Sequence, residues 1–481
     1  RAYAEFDFLS ASHHTLYFWD DPRVRVGMAD SFTDATAALN RIHGMQPELP
    51  DWTYDGIWLG VQGGGEEIER KLAQATEAGI EVGGLWVQDW EGKRVTAFGK
   101  QLMWNWKYAE DQYPDLPSKI ADLKSRGIRF LGYINPFLAI EEDLYKEASE
   151  KGYCVQHPEG GDYLVTVTTF PAAMIDLTNP EAFDWIKGVI REHMIGIGMS
   201  GWMCDYGEYL PTDAVLHSGE SAETFHNTFP VEWARANREA VEEAGVADSV
   251  VFFVRAGHNY SSRYAMANWA GDQLVNWSLG DGLATAITAG LNMSFSGAAH
   301  YHSDVGGFTS LAWVKRSKEL LLRWVEYAAF NPIMRSHESN RPDDCVQFNE
   351  DEETLAQFAR MTKVYRALKP YHKALDEEYR RTGITPIRHP SLRYVGDEEL
   401  HRYRFQYLYG DDLLVAPVYE KGQKRRRLYL PDDRWIHLWS GKEFGGGVRK
   451  VSAPVGKPPV FYRKESTWAG LFSSLKRSAE G

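Results

Sequence analysis

Residues 56–87, GIWLGVQGGGEEIERKLAQATEAGIEVGGLWV, contain the pattern that indicates the fold class. An apolar run at 56–61 is followed by glycines, by apolar residues at helical spacing over 66–79, and by a second apolar run at 82–87. Short apolar runs bounded by glycines are typical of strands, and a 3.6-residue spacing is typical of an amphipathic helix. This stretch therefore predicts a strand, a helix and a second strand.

The same alternation continues along about 330 residues. Further strands are predicted at 129–134, 201–204, 249–254, 273–277, 298–302 and 332–337, and helices at 118–127, 142–152, 180–196 and 231–245. Asn179 as N-cap and Pro180 at the first helical position mark one helix start. Strands that alternate with helices imply a parallel sheet, and about eight such units favour closure into a (β/α)8 TIM barrel over an open sheet.

The pattern changes at both ends of the barrel region. From about residue 384, short strands are predicted at 413–418, 427–430, 435–439 and 460–463, with Gly- and Asp-rich turns between them. These indicate a C-terminal β-sandwich over 384–481. Residues 1–50 contain strand-like runs at 6–8 and 15–18 whose partner strands are missing. The barrel is expected to occupy 51–383.

Composition excludes several classes of protein. A net charge of -14 argues against nucleic acid as a partner, because such binding requires clustered Lys and Arg. No run approaches the roughly 18 apolar residues of a membrane span. The three cysteines, Cys154, Cys204 and Cys345, are far apart and suggest neither a disulfide framework nor a metal site. They fit a reducing cytoplasm.

Polar residues at the carboxyl ends of barrel strands mark the expected active site, because that face carries catalysis in (β/α)8 barrels. The residues at these positions are Gln62, Gln88, Asp89, Asn135, Asp205, Glu208, Arg255, Asp272, His302, Asp304, Arg335 and His337. They are rich in carboxylates. They contain no close His/Cys cluster that would indicate a metal, and the chain has no phosphate-binding glycine loop followed by Lys-Ser/Thr.

Asp205 and Asp272 are the candidate catalytic pair. Glycoside cleavage requires two carboxyl groups across a site, one to protonate the leaving oxygen and one to attack or stabilise the sugar. Each aspartate follows a tryptophan by three residues, Trp202 and Trp269, and a tryptophan could wall a sugar ring. A single aspartate at a strand end is more often a helix cap, but the whole set of residues favours a glycosidase.

Longer motifs around these residues resemble family 31 of the glycoside hydrolases, and within it the sulfoquinovosidase branch. The matching segments are GWMCDYGEYLP at 201–211, WAGD at 269–272, SDVGGF at 303–308, RW at 323–324 with MRSH at 334–337, YGDDLLVAPV at 409–418 and PVFYR at 459–463. The resemblance runs from about residue 52 to residue 463.

The resemblance implies a retaining mechanism on α-linked substrates without a cofactor, with Asp205 as nucleophile and Asp272 as general acid/base. It also implies that Trp202, Arg255 and His337 line the subsite of the cleaved sugar. Glu208 would lie behind the nucleophile. Residues 1–50 would be the remnant of the N-terminal β-sandwich of this family.

Gln62, Gln88 and Trp104 match residues around the sulfonate in sulfoquinovosidases. Most family members have an Asp in place of Gln88, and a neutral amide there removes a charge that would repel a sulfonate. The alternative interpretation is a glutamine that merely closes a strand end.

Two positions depart from the sulfoquinovosidase pattern. Gln101 stands where the pattern has Arg, and Phe308 stands where it has Tyr. An arginine would form a stronger, charge-assisted hydrogen bond to a sulfonate than an amide can. Lys100 or Lys107 could compensate for the missing charge.

Three functions are therefore weighed. The first is hydrolysis of a small, sulfonated α-glycoside, an α-sulfoquinovoside. The second is hydrolysis of a neutral α-glucoside or related α-glycoside, which Gln101 and Phe308 favour. The third is a catalytically silent carbohydrate-binding protein, against which the presence of both Asp205 and Asp272 argues.

Overall fold

The predicted alternation forms a parallel barrel in the computed structural model, which describes residues 4–7, 9–10, 12–13, 15–18, 26–167 and 169–480. Its strands are β1 (Ile57–Gly60), β2 (Val82–Trp86), β3 (Arg129–Ile134), β4 (Gly201–Cys204), β5 (Val251–Val254), β6 (Ala267–Trp269), β7 (Tyr301–His302 and Asp304–Val305) and β8 (Arg335–Ser336). The first piece of β7 pairs with β6 and the second with β8, and only Ser303 separates them. Since β8 also pairs with β1, the ring closes and the predicted barrel is confirmed.

Helices connect the strands and cover the outside of the barrel. The helices between and after the strands are Gly65–Glu77, Leu116–Ser125, Asp143–Glu150, Pro180–Ile190, Ala222–Phe225, Phe229–Glu243, Leu283–Phe295, Lys318–Ala328, Glu352–Ala367 and Lys369–Thr382. The Asn179 side chain accepts a hydrogen bond from the Glu181 N–H (3.0 Å), which confirms the predicted cap. At the closure of the ring, a Cβ on Gly60 would lie 2.2 Å from the Ser336 carbonyl oxygen, so only glycine allows this approach.

One predicted strand is wrong. The sixth barrel strand is β6, Ala267–Trp269, and the predicted strand at 273–277 is a loop. In that loop the Leu274 N–H donates to the Asp281 carboxylate, and Leu274 forms one isolated bridge with Thr309. A three-residue strand is too short to show the alternation with a period of two that predicts a strand. The loop at 273–277 contains apolar residues, and these gave the incorrect strand prediction.

Smaller differences concern the ends of elements. The helix predicted at 180–196 is α-helical from Pro180 to Ile190, and a five-residue π-helical turn, Arg191–Ile195, follows it. The small insertion after β3 forms three short antiparallel strands, Phe137–Ala139, Leu164–Val167 and Phe170–Met174. A second insertion, after β2, forms an antiparallel hairpin of Lys93–Thr96 and Gly99–Leu102, hereafter the pocket hairpin.

Aromatic and charged side chains fill the barrel below its carboxyl end. The guanidinium of Arg335 lies 4.5 Å from the ring of Trp86 and 4.9 Å from the ring of Phe253. It is fully buried and forms an ion pair with the buried Asp304. Burial raises the pKa of Asp304, although the charge of Arg335 acts in the opposite direction. Asp304 and Arg335 thus form a charged layer inside the barrel.

The C-terminal region folds into antiparallel sheets. One sheet contains, in spatial order, Ile387–Arg388, Tyr407–Tyr409, Leu413–Val415, Val460–Arg463, Trp435–His437 and Glu443–Phe444. A second pair consists of Arg425–Leu430 and Gly447–Ser452. Buried Leu414 and Phe461 from the first sheet and Leu428 and Val451 from the second belong to one apolar cluster. The chain continues into the helix Ala469–Glu480.

The described residues of the N-terminal region form one strand pair and one helix. Ala4–Asp7 pairs with Thr15–Phe18, and the helix Phe32–His43 follows. Phe8, from the predicted run at 6–8, lies outside the described residues. The interpretation of residues 1–50 as the remnant of a β-sandwich, like the domain boundaries, stays a prediction.

Two further features bear on the classes considered above. The cysteines Cys154, Cys204 and Cys345 are all buried and free. None of the helices in the described ranges combines the length and apolar character needed to cross a membrane.

Candidate active site

A cavity of about 240 Å³ opens at the carboxyl ends of the barrel strands. The predicted site residues that line it are Gln88, Gln101, Trp104, Asp205, Arg255, Asp272, Phe308 and His337. The other lining residues are Phe98, Lys100, Leu102, Tyr133, Met203, Tyr206, Tyr209 and Thr309. The walls therefore come from several strand ends and from the pocket hairpin.

Arg255, directly after β5, connects the two candidate catalytic aspartates. Its Nη1 lies 3.0 Å from Asp272 Oδ2, and its Nε lies 3.2 Å from Asp205 Oδ1. Its Nη2 also donates to Glu208 Oε1 at 2.7 Å. Burial acts to lower the pKa of Arg255, but the three carboxylates raise it overall. Because one guanidinium contacts both aspartates, their carboxyl groups face the same pocket.

Asp205 is held firmly at the end of β4. Its side chain is 10% exposed, and its Oδ2 accepts a hydrogen bond of 2.6 Å from the Tyr133 hydroxyl. Its Oδ1 accepts one of 2.8 Å from the Tyr206 backbone N–H. Trp233 donates to the Asp205 backbone carbonyl at 3.0 Å. Together with Arg255, these contacts fix the direction in which the carboxylate points.

Asp272 has fewer partners and a different electrostatic environment. Its side chain is 44% exposed within the pocket, so a substrate can reach it. Withdrawal from bulk water raises the pKa of Asp272 to about 7; the charge of Arg255 opposes this rise, and the charge of Asp205 adds to it. Two carboxyl groups with such different environments can act as an acid and as a nucleophile at the same pH.

His337 is a neutral hydrogen-bond donor to the pocket. Burial lowers the pKa of His337 well below its usual value, and the nearby Arg335 adds to the effect. Its Nδ1 accepts a hydrogen bond from the Ser339 backbone N–H at 2.9 Å, so the proton of the neutral ring is on Nε2. The ring packs against Phe308, with centroids 4.7 Å apart.

An amide-rich wall lies beside the pocket hairpin. Gln88 Nε2 donates to Gln62 Oε1 at 3.3 Å, and Gln101 Oε1 accepts from the Thr169 hydroxyl. Trp104 stacks on Phe137 with a centroid distance of 5.4 Å. This wall contains hydrogen-bonding amides and an indole ring.

Two residues of the pocket have backbone conformations that are rare for residues other than glycine. The φ angles of Trp104 and Tyr206 are 59° and 58°. Their rings contact each other edge to face, with centroids 5.6 Å apart. Left-handed conformations at non-glycine residues cost free energy and are concentrated at functional sites. Their presence together supports this cavity as the functional site.

Two predicted binding residues do not line the cavity. Trp202 is fully buried and donates to Asn237 Oδ1 at 2.8 Å, on the helix Phe229–Glu243. Side chains alternate along a strand, so Met203 and Asp205 face the pocket while Trp202 faces the helices. Gln62 is buried and accepts a hydrogen bond from Gln88, which lines the cavity.

Sequence reasoning missed several residues of the site, of which Tyr133 makes the most direct contact. Tyr133 shares a face of its strand with Asn135, a strand-end residue that was considered, and Asn135 donates to its hydroxyl at 3.1 Å. The period of two in β3 was a signal that could have identified it. Tyr206 and Tyr209 had no comparable signal, because their positions depend on the loop after β4.

Within the described part of the chain, no three His, Cys, Asp or Glu side chains form a group that could hold a metal ion.

Comparison with known proteins gives matches over most of the chain. A family model described as "Glycosyl hydrolases family 31 TIM-barrel domain" matches residues 46–373, and one described as "Glycosyl hydrolase family 31 C-terminal domain" matches residues 383–467.

Individual proteins are similar over nearly the whole length. The chain is 49% identical to a sulfoquinovosidase of Escherichia coli K12, over 98% of this chain and 70% of that protein. It is 43% identical to a sulfoquinovosidase of Agrobacterium fabrum, over 99% of this chain and 72% of that protein. A solved structure of a family 31 sulfoquinovosidase from E. rectale, in complex with an aza-sugar inhibitor, matches with a TM-score of 0.96 and 47% identity, over 99% of this chain and 72% of that chain.

Proposed function

This chain belongs to glycoside hydrolase family 31, and from that premise we propose that it hydrolyses α-sulfoquinovosides with retention of configuration. The observation that carries the proposal is the contact of one guanidinium, Arg255, with both Asp205 and Asp272 in a cavity at the carboxyl end of the barrel. For a retaining pair, the two carboxyl groups are expected to lie roughly 5–5.5 Å apart in a crystal structure.

In the first step, Asp205 attacks the anomeric carbon and Asp272 gives its proton to the glycosidic oxygen. The C–O bond to the aglycone breaks, the aglycone leaves as an alcohol, and a bond forms between the sugar and Asp205. The hydrogen bonds from Tyr133 and Tyr206 hold the attacking carboxylate in position. An Asp272 pKa of about 7 keeps much of the acid protonated at neutral pH.

In the second step, Asp272 acts as a base. It is now ionised, takes a proton from water and directs the hydroxide at the anomeric carbon, which releases Asp205. Two inversions at the same carbon give net retention. Arg255 contacts both carboxylates in the structure, which places its positive charge where it can balance the negative charge that shifts from Asp205 to Asp272 during the cycle.

The choice of a sulfonated sugar rests on the amide wall and on the relatives. The relatives with 43% and 49% identity are sulfoquinovosidases. In this chain Gln88 lines the pocket as a neutral amide, which does not repel an anion. Gln101 and Phe308 also line it and favour the second candidate, a neutral α-glucoside, since neither offers a positive charge.

A panel of 4-nitrophenyl α-glycosides separates these candidates. We expect kcat/KM for the α-sulfoquinovoside to exceed the values for the α-glucoside and the α-xyloside, and the first product seen by NMR to be the α-anomer. A higher value for the glucoside would favour the second candidate. Sugar binding without turnover of any member would favour a silent carbohydrate-binding protein.

We also propose that the enzyme works in the cytoplasm. Its three buried cysteines are free, and unpaired thiols are typical of reducing compartments. Measuring where the activity fractionates in the source cells tests this assignment.

A further inference from the structure

The proposed substrate carries a sulfonate, and a group in the pocket must neutralise its negative charge. A sulfonate is anionic throughout the physiological pH range, and a charged group that enters a confined site requires a partner. Of the described residues that line the cavity, only Arg255 and Lys100 carry a positive side chain, because His337 is neutral. Arg255 already contacts Asp205, Glu208 and Asp272.

Lys100 has a weaker ion pair with the protein than Arg255 has. It lies in the strand Gly99–Leu102 of the pocket hairpin, beside Gln101, and its side chain is 32% exposed. Its Nζ lies 3.3 Å from Asp343 Oδ2, and the Asp343 side chain is 89% exposed. An ion pair with such an exposed partner contributes little free energy, because water and salt screen the attraction between the charges. An anion in the pocket can therefore compete with Asp343 for the ammonium group.

Other cations on or near the hairpin do not line the cavity and have closer or more buried partners. Their ion pairs are Lys71–Glu338, Lys93–Asp89, Arg94–Glu141 and Lys107–Asp143. Glu338 and Asp89 are almost completely buried, so losing their cations would leave a buried charge unpaired. Lys107 Nζ lies 2.6 Å from Asp143 Oδ2, and Lys107 is not among the residues that line the cavity.

We propose that Lys100 binds the sulfonate of the substrate, and that the sulfonate replaces Asp343 as the ion-pair partner of Lys100. This inference rests on the proposed function and assigns its anion-binding residue. Lys100 supplies the positive charge that Gln101 lacks, while the Gln88 amide and the Trp104 ring line the same cavity. Asp343 then competes with the sulfonate for the Lys100 ammonium group. Because the ion pair with Asp343 must break before the sulfonate binds, Asp343 lowers the affinity of the wild type for the substrate.

The test compares Lys100→Met with Lys107→Met, a matched loss of one lysine charge outside the pocket lining. We expect Lys100→Met to lower kcat/KM for 4-nitrophenyl α-sulfoquinovoside about tenfold or more, mainly through KM, because a charge-assisted hydrogen bond is lost. Values for the α-glucoside should stay within about threefold. Lys100→Arg should retain most of the preference, and Asp343→Asn should raise kcat/KM for the sulfoquinovoside by about two- to fivefold.

The outcomes distinguish this inference from the proposed function. If wild type does not prefer the sulfoquinovoside, the proposed function fails. If wild type does prefer it, but Lys100→Met loses no more than Lys107→Met or loses equally on both substrates, Lys100 is not the sulfonate ligand. An Asp343→Asn variant with lower kcat/KM for the sulfoquinovoside would refute the exchange. Matching thermal unfolding curves establish that the variants are folded.

Discussion

The aspartate–arginine centre and the pocket hairpin both line one cavity but are built differently. Asp205, Glu208 and Asp272 all contact Arg255, and Asp205 has two further hydrogen-bond donors at its carboxylate. On the hairpin, Val95 is 83% exposed and Lys100 has a partner that is 89% exposed. The contacts of the centre converge on its carboxylates, whereas the ion pair of Lys100 on the hairpin is largely open to solvent.

Catalysis and substrate preference are therefore expected to depend on different parts of the cavity. Barrel strands hold the reacting groups in one geometry, which a retaining mechanism requires. The pocket hairpin lies outside the barrel strands, so its pocket-lining residues can change without disturbing that geometry. Substitutions in the centre should therefore affect every substrate alike, whereas substitutions in the hairpin should change the ratio between sulfonated and neutral substrates.

The largest effect is expected from Asp205→Ala. Without the nucleophile no glycosyl-enzyme forms, so kcat for both the sulfoquinovoside and the glucoside should fall by on the order of 10⁵-fold or more, as for other covalent nucleophiles. Added azide should restore turnover and give the β-glycosyl azide. Asp122→Ala, on the exposed surface of the helix Leu116–Ser125, is the control. Retained activity in Asp205→Ala would end its assignment as nucleophile.

Asp272→Ala should have the second largest effect. The loss should be about 10²–10⁴-fold with an alkyl aglycone and much smaller with 4-nitrophenolate, which needs no proton. Wild-type kcat/KM should fall as pH rises through about 7, because Asp272 loses its proton there. The variant should lack this dependence, and azide should give the α-glycosyl azide. Equal losses with both aglycones would contradict the acid role.

Tyr133→Phe tests the supporting contacts of the centre. It removes a hydrogen bond to the Asp205 carboxylate, so kcat should fall about tenfold, in line with a loss of about 1.5 kcal/mol. The fall should be the same for sulfonated and neutral substrates. Tyr163→Phe removes a hydroxyl that donates to Asp213 on the exposed surface and serves as control. If Tyr133→Phe instead changed the ratio of kcat/KM between the sulfonated and the neutral substrate, the proposed division between the two regions would be wrong.

The smallest effects are expected from additions to the anion pocket. Gln101→Arg should raise kcat/KM for the sulfoquinovoside by up to about tenfold by adding a charge-assisted donor, with little change for the glucoside. Phe308→Tyr should add a smaller increment through one hydroxyl. Both are measured on the same pair of 4-nitrophenyl glycosides. If Gln101→Arg leaves the ratio unchanged, the sulfonate does not approach the hairpin.

The sequence predicted the centre better than the pocket around it. Asp205 and Asp272 were identified because they follow strand-like runs and lie in long family motifs, and both line the cavity. Trp202 was predicted to line the subsite of the cleaved sugar, but it does not line the cavity; a motif identifies a residue without indicating which face of the strand its side chain occupies. The position of β6 was missed because three residues carry too little periodicity.

The parallel barrel, the antiparallel C-terminal region and the two aspartates could be predicted from the sequence, since they follow from local patterns and motifs of adjacent residues. Which side chains meet across the cavity depends on the tertiary structure. Tyr133 reaches Asp205, Arg255 joins the two carboxyl groups, and Lys100 enters the pocket wall while Lys107 does not. These meetings depend on the closure of the ring and on the path of a hairpin, which bring together residues far apart in the chain.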